Sequence, residues 1–190
     1  MPDDILQIFK DAGALLEGHF LLTSGLHSPI YWEKFLVLQH PHYTEKLCRL
    51  IAEHYRNKKV EVVAGPTTGG IILAYEVARQ LKVRGIFAER EERGRAFRRG
   101  FTIQPGERVL IVDDILTTGS SLNETVAAVN LLNGKILGIG VLVDRSERGI
   151  DFGVPLFSCL RSATVAFKPT ECPLCSAGVP LAKPGSSTQS

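Results

Sequence analysis

Between residues 60 and 145 the chain alternates short, almost unbroken apolar runs with segments of helical periodicity. The runs are "VEVVAG", "RGIFAER", "RVLIVDD" and "KILGIGVLVDR"; among them stand "GGIILAYEVARQL" and "SSLNETVAAVNLLNG". A strand rich in valine, isoleucine and leucine along its whole length must be covered on both faces. Helices set between such strands return the chain so that the next strand can run parallel to the last. The pattern predicts an α/β fold, a doubly wound and mainly parallel sheet flanked by helices. Gly85 and Gly134 are expected to mark the ends of the two helices.

Ahead of this region, "DDILQIFKDAGALLEG" has apolar residues at 5, 6, 8, 9, 12, 15 and 16, a helical stripe with Asp3 as its expected cap. "HFLLTSGLHSPIYWEKFLVL", interrupted by Ser24-Gly25 and Ser28-Pro29, reads as short strands and turns, and "HPHYTEKLCRLIAEHYRNKK" as a helix. Residues 1 to about 40 would then form a small hood on one domain spanning 1–168, with 169–190 as a tail that ends in the polar "KPGSSTQS". The length of 190 residues suits a single core, and 44% hydrophobic with 22% charged residues is ordinary for a globular protein. No apolar run approaches the roughly 18 residues that cross a bilayer. The opening "MPDDILQIFK" has no signal-peptide pattern, so a cytoplasmic protein without a membrane partner is expected. A net charge of +2 gives no reason to expect nucleic acid, and four scattered cysteines suit a reducing compartment.

The chemistry concentrates in "RVLIVDDILTTGSS". Ligands of open parallel sheets collect beyond the carboxyl ends of the strands, where Asp113 and Asp114 fall. Thr117, Thr118, Ser120 and Ser121 then surround Gly119 at a helix start, a phosphate cradle of hydroxyls and backbone amides. Two acids would repel a phosphate but suit the hydroxyls of a sugar, or a cation carried by the same ligand. A sugar phosphate satisfies both halves of the segment. For an Asp-Asp pair alone, a capped helix after a buried strand would be explanation enough; the longer pattern is more specific. There is no G-x-x-x-x-G-K-[ST], and "GIGVLV" is only part of a dinucleotide-binding pattern.

Four apolar residues, two acids, two apolar residues, then threonines and glycine with small neighbours: this segment resembles the phosphoribosyl diphosphate signature of type I phosphoribosyltransferases. "FLLTSGLHSPIYWE", "GPTTGGI" and "VLVDRSERG" extend the resemblance over residues 1 to about 168, most closely to the orotate phosphoribosyltransferases. That family makes orotidine 5′-phosphate and diphosphate from orotate and phosphoribosyl diphosphate with Mg2+, and its members pair as homodimers. The resemblance implies that Asp113, Asp114, Ile115, Leu116, Thr117, Thr118, Gly119, Ser120 and Ser121 hold phosphoribosyl diphosphate. It further implies that Thr117, Arg145, Tyr31 and Trp32 bind orotate. Arginine at 145 also makes chemical sense, because orotate carries a carboxylate and a guanidinium grips one with two parallel bonds; pairing with Glu147 is the structural alternative.

"AEREERGRAFRRGF" contains five arginines against three glutamates, with glycines at 94 and 100. It is expected to be either a mobile basic loop that stabilises the departing diphosphate or a solvated hairpin with ion pairs. Arg90 stands where the resemblance places a lysine, and Arg93 and Arg95 are further catalytic candidates. The chain departs from the family where Thr23 and the "GPTTGG" loop lack lysines, which leaves the diphosphate to the amides of Thr67–Gly70 and these arginines. "CPLC" has zinc-knuckle spacing but offers two of four ligands; a tight turn is expected, with Cys159 or a second subunit as possible contributors. His40 and His42 read as capping or solvent-exposed residues. Two rivals stay open: a phosphoribosyltransferase for another base, such as a purine, which would not need Arg145, and a nucleotide-sensing regulator on the same fold, which would need a contiguous basic face.

Overall fold

The computed structural model describes residues 2–22, 24–146, 149–162 and 165–184. Thr23, Glu147, Arg148, the Asp3 side chain and most of the terminal "KPGSSTQS" lie outside the described residues.

The elements run α1 (Pro2–Asp11), β1 (Leu15–Leu21), β2 (His27–Trp32), α2 (Lys34–Leu38), α3 (Pro41–Tyr55), β3 (Val62–Pro66), α4 (Gly69–Leu81), β4 (Arg84–Arg90), β5 (Arg95–Phe97), β6 (Arg108–Leu116), α5 (Ser120–Leu131), β7 (Lys135–Asp144), β8 (Leu156–Arg161) and α6 (Pro173–Ser176). Six strands form one sheet in the order β5-β4-β3-β6-β7-β8, parallel except for the edge pair β4–β5. β1 and β2 form a separate antiparallel hairpin, the hood.

The central strands show why near-continuous apolar sequence was needed. Val63, Leu110, Val112 and Leu142 join one buried cluster with α1, α3 and α4. Their neighbours Val62, Ala64, Val109, Ile111 and Val141 join another with Leu122 and Val129 of α5. The side-chain period of two sends alternate residues to opposite faces, and helices cover both. α3 starts with Pro41 in its first turn and buries Leu47, Cys48, Ile51, Ala52 and Tyr55. It lies so close to β7 that a Cβ on Gly140 would stand 2.5 Å from Ile51, and one on Gly138 2.5 Å from the Tyr55 hydroxyl. The "GIG" motif is thus a packing contact. Tyr55 also donates a 3.0 Å hydrogen bond to the Ile139 carbonyl.

Several local expectations are corrected. The first helix stops at Asp11, because Gly13 turns left-handed (φ 64°), and Leu15 and Leu16 of the apparent stripe open β1. "KFLVL" is a short helix, α2, rather than part of a strand. Gly134 does stand just beyond α5, after left-handed Asn133, its amide bonded back to the Val129 carbonyl at 3.1 Å, whereas α4 is closed by left-handed Lys82 and Gly85 lies inside β4. The segment after residue 168 is no free tail up to residue 182: Ala182 exchanges backbone hydrogen bonds with His19 and Leu21 of the hood, each 2.8 Å.

Candidate active site

Connections leave β3 toward one edge of the sheet and β6 toward the other, so the carboxyl ends of these neighbouring strands frame the switch-point crevice where α/β sheets bind ligands. The turns at 67–70, 117–121 and 145–146 all follow strands that end on this side.

Asp113 and Asp114 sit at its base, 6% and 2% exposed. Asp113 accepts hydrogen bonds from the Ser121 hydroxyl at 2.8 Å and the Asp114 amide at 2.9 Å. Burial, reinforced by the neighbouring Asp114 charge, pushes its carboxyl from 3.8 up to about 7. Asp114 is gripped by Lys34, whose Nζ lies 2.9 Å from both carboxylate oxygens. The lysine donates to Oδ1, which also accepts from the Ile115 amide at 2.6 Å. Oδ2 is buried and accepts no hydrogen bond among the described residues. A Cβ on Gly69 would stand 1.7 Å from that Oδ2, so only glycine lets α4 begin against the acid. Lys34 escaped the sequence reading; its one trace was a lone lysine between "YW" and an apolar run.

Gly119 adopts φ 76°, a left-handed turn that launches α5 at Ser120. Thr117, Thr118 and Ser120 are exposed around the free amides of the helix start, and the Thr118 and Ser120 hydroxyls lie 3.0 Å apart. Ile115 and Leu116 pack into the two apolar clusters, so they have backbone alone to offer a ligand.

Arg145 follows β7, its amide donating to the Leu116 carbonyl at 2.8 Å. The preceding Asp144, buried, fixes this turn by accepting from the Ser146 amide at 2.9 Å and hydroxyl at 2.6 Å. An Asp followed two residues later by Ser is the signal that could have flagged it. Burial lowers the pKa of the Arg145 guanidinium, while nearby Tyr31 acts in the opposite sense. A cleft of about 390 Å³ places Arg145 and Ser146 beside Thr117 and Thr118, closed from the hood by Leu22 and Leu26. Thr117 and Arg145 are therefore brought together as expected. Tyr31 lies within electrostatic reach of Arg145, but neither Tyr31 nor Trp32 lines the cleft. Neighbours on a strand face opposite ways, and Trp32 is 7% exposed, edge-on to Phe9 at 5.0 Å in the hood core.

The arginine-rich segment is an antiparallel hairpin of β4 and β5. Arg99 pairs with Glu89 at 2.7 Å and Arg98 with Glu91. Arg95, 8% exposed, turns inward: it donates to the Thr67 carbonyl and hydroxyl and to the Ala88 carbonyl, and pairs with Glu124 at 3.2 Å. It props the turn after β3, whose Thr67–Thr68 peptide is cis. Arg90 and Arg93 are exposed at the hairpin end. Cys159 lies elsewhere, against the Leu47 carbonyl.

A family model described as the phosphoribosyl transferase domain matches residues 37–152, and the chain belongs to this phosphoribosyltransferase family. Curated relatives carry a more particular name: orotate phosphoribosyltransferase. The protein of that name from Pelotomaculum thermopropionicum is 52% identical, covering 97% of both chains. Its counterpart from Caldanaerobacter subterraneus subsp. tengcongensis is 48% identical over the same shares. Among solved structures, orotate phosphoribosyltransferase from Aeropyrum pernix superposes with TM-score 0.69 at 27% identity, covering 83% of this chain and 93% of that one. An adenine phosphoribosyltransferase at 19% identity and TM-score 0.63 shares the fold.

Proposed function

We propose that this enzyme transfers the ribose 5-phosphate group of phosphoribosyl diphosphate to orotate, giving orotidine 5′-phosphate and diphosphate in pyrimidine synthesis. The observation that carries the reading is Arg145, a partly buried guanidinium in the same cleft as the phosphate turn. A purine has no carboxylate to meet it.

The 5′-phosphate sits in the turn 117–121, on backbone amides and the Thr118 and Ser120 hydroxyls, while Asp113 and Asp114 accept hydrogen bonds from the ribose hydroxyls. The diphosphate lies against the amides of Thr68–Gly70 at the start of α4, the Thr67 amide being engaged by the Ala88 carbonyl at 3.0 Å, with Arg90 and Arg93 supplying positive charge and Arg95 holding the turn. Arg145 pairs with the orotate carboxylate, Thr117 meets the ring, and Tyr31 lies along it. The bond from C1′ to the diphosphate breaks with its electron pair leaving on the diphosphate; a bond from C1′ to orotate N1 forms, and the N1 proton passes to solvent. Because the sugar carries oxocarbenium character, the orotate anion needs no general base.

Mg2+ suits the hard oxygen donors gathered here, the carboxylates of Asp113 and Asp114 at the base of the crevice. Bound with the diphosphate, Mg2+ would neutralise charge on the leaving group. The transferase unit spans 1–168, works in the cytoplasm and forms a homodimer, for which exposed Tyr75 and Ile72 on α4 offer an apolar face. The test is loss of orotate absorbance on incubation with phosphoribosyl diphosphate and Mg2+. Turnover is expected with orotate and not with adenine; the reverse preference, or none, refutes the assignment.

A further inference from the structure

A second gathering of ligating side chains lies where the end of the chain returns to the hood. Phe167 exchanges two 2.8 Å backbone hydrogen bonds with His27 on β2, and Ala182 donates one of 2.8 Å to the His19 carbonyl on β1. Between these anchors "CPLC" forms the short α6, which brings Cys172 and Cys175 against both histidines.

One ligand atom from each of His19, His27, Cys172 and Cys175 lies within 4.8 Å of every other. His19 Nε2 is 2.9 Å from His27 Nδ1, 3.5 Å from Cys172 Sγ and 3.7 Å from Cys175 Sγ; Cys175 Sγ is 3.2 Å from His27 Nδ1. A tetrahedral zinc with Zn–S of about 2.3 Å and Zn–N of about 2.0–2.1 Å sets its ligand atoms about 3.3–3.8 Å apart. The four separations from His19 and His27 lie within about half an ångström of these values, and since every pair lies within 4.8 Å, surrounding an ion needs shifts of at most about 1 Å.

The outer contacts agree. His19 Nδ1 lies 2.8 Å from the Val179 carbonyl, an acceptor only, so the ring proton resides on Nδ1 and the Nε2 lone pair faces the cluster. His19, His27 and Cys172 are 3%, 5% and 1% exposed. Two thiolates balance a divalent charge, so the filled site is electrically neutral and cheap to bury.

We propose that His19, His27, Cys172 and Cys175 form a closed structural site for one zinc ion, which pins the segment 167–182 to the β1–β2 hairpin. Nitrogen and sulfur donors select zinc over Mg2+, which separates this site from the acids at the sheet. Binding releases the two thiol protons. Its effect on catalysis is indirect: the pinned hairpin leads into Leu22 and Leu26, which wall the cleft, so zinc steadies the base side of that cleft. The site does not depend on what the cleft binds.

The test is zinc content of the full chain, purified reduced and without chelator. About one zinc per chain is expected, lost in Cys172→Ser/Cys175→Ser and kept in His42→Ala. Chelation should lower the thermal midpoint, and added zinc, but not Mg2+, should restore it. Titrating the metal-free wild-type chain with Co2+ should produce thiolate-to-cobalt charge transfer and tetrahedral visible bands. That spectrum decides the matter even where the cysteine variants do not fold. Absent zinc with a silent cobalt titration, unchanged zinc in the double variant, or a Cys172–Cys175 disulfide in the reduced preparation overturns the proposal.

Discussion

Replacing Asp113 with asparagine should make the ligand-free protein more stable while disabling it. The carboxyl is buried beside a second carboxylate, and its pKa rises from 3.8 to about 7 on folding. A raised acid pKa means that the folded state holds its proton more tightly than the unfolded chain. Below about pH 4 both states are protonated and nothing is lost; as pH climbs toward about 7 the unfolded chain ionises first, and stability falls to a plateau above it. At about 1.4 kcal/mol per pH unit, the cost reaches at most about 4 kcal/mol. Asparagine keeps both hydrogen bonds, since its oxygen can accept from the Asp114 amide and its NH2 can donate to the Ser121 hydroxyl. Chemical denaturation of both proteins between about pH 4 and pH 9 should show a stability difference that opens with rising pH and then levels. For a chain of this size a ceiling of about 4 kcal/mol corresponds to a rise in thermal midpoint of up to about 8–16 °C near pH 8. A pH-independent difference, or a less stable variant near pH 8, refutes the reasoning.

Other substitutions separate the parts of the site. Arg145→Ala should raise KM for orotate at least about tenfold, or about 1.4 kcal/mol, while titration calorimetry shows phosphoribosyl diphosphate binding largely kept. Gly69→Ala drives a methyl into the Asp114 carboxylate; a loss of about 1–3 kcal/mol in urea unfolding and weaker phosphoribosyl diphosphate binding are expected. Lys34→Met leaves Asp114 buried without its cation. Because Lys34 is about one-third exposed and solvent screens the pair, a destabilisation of about 1–3 kcal/mol is expected from urea unfolding. Arg95→Lys cannot bond Thr67 and Glu124 together as the forked guanidinium does; steady-state kinetics should show a higher KM for phosphoribosyl diphosphate with the orotate KM little changed.

What could be read in advance followed from local rules. Val109–Val112 had to be a doubly covered strand, and the acids after it had to fall at the ligand-binding edge. The turn at 117–121 was legible because Gly119 and its hydroxyl neighbours act within a few residues of one another. Lys34 was hidden because its partner Asp114 is 80 residues away, and nothing in "YWEKF" names an acid. The inward turn of Arg95 was hidden for the same reason, since Thr67 and Glu124 meet it only in the folded sheet. In "CPLC" half of a ligand set was visible; His19 and His27 joined it through hairpin pairing and the return of the chain, neither of which leaves a periodic trace.

The paired acids and the adjoining turn carry the whole functional account, and calorimetric titration of the folded chain with phosphoribosyl diphosphate and Mg2+ tests them most directly. Saturable binding by the wild-type protein is expected, weakened at least about tenfold, or about 1.4 kcal/mol, in Asp113→Asn/Asp114→Asn. Equal affinity in a folded double variant, or no binding by the wild-type protein, would contradict it.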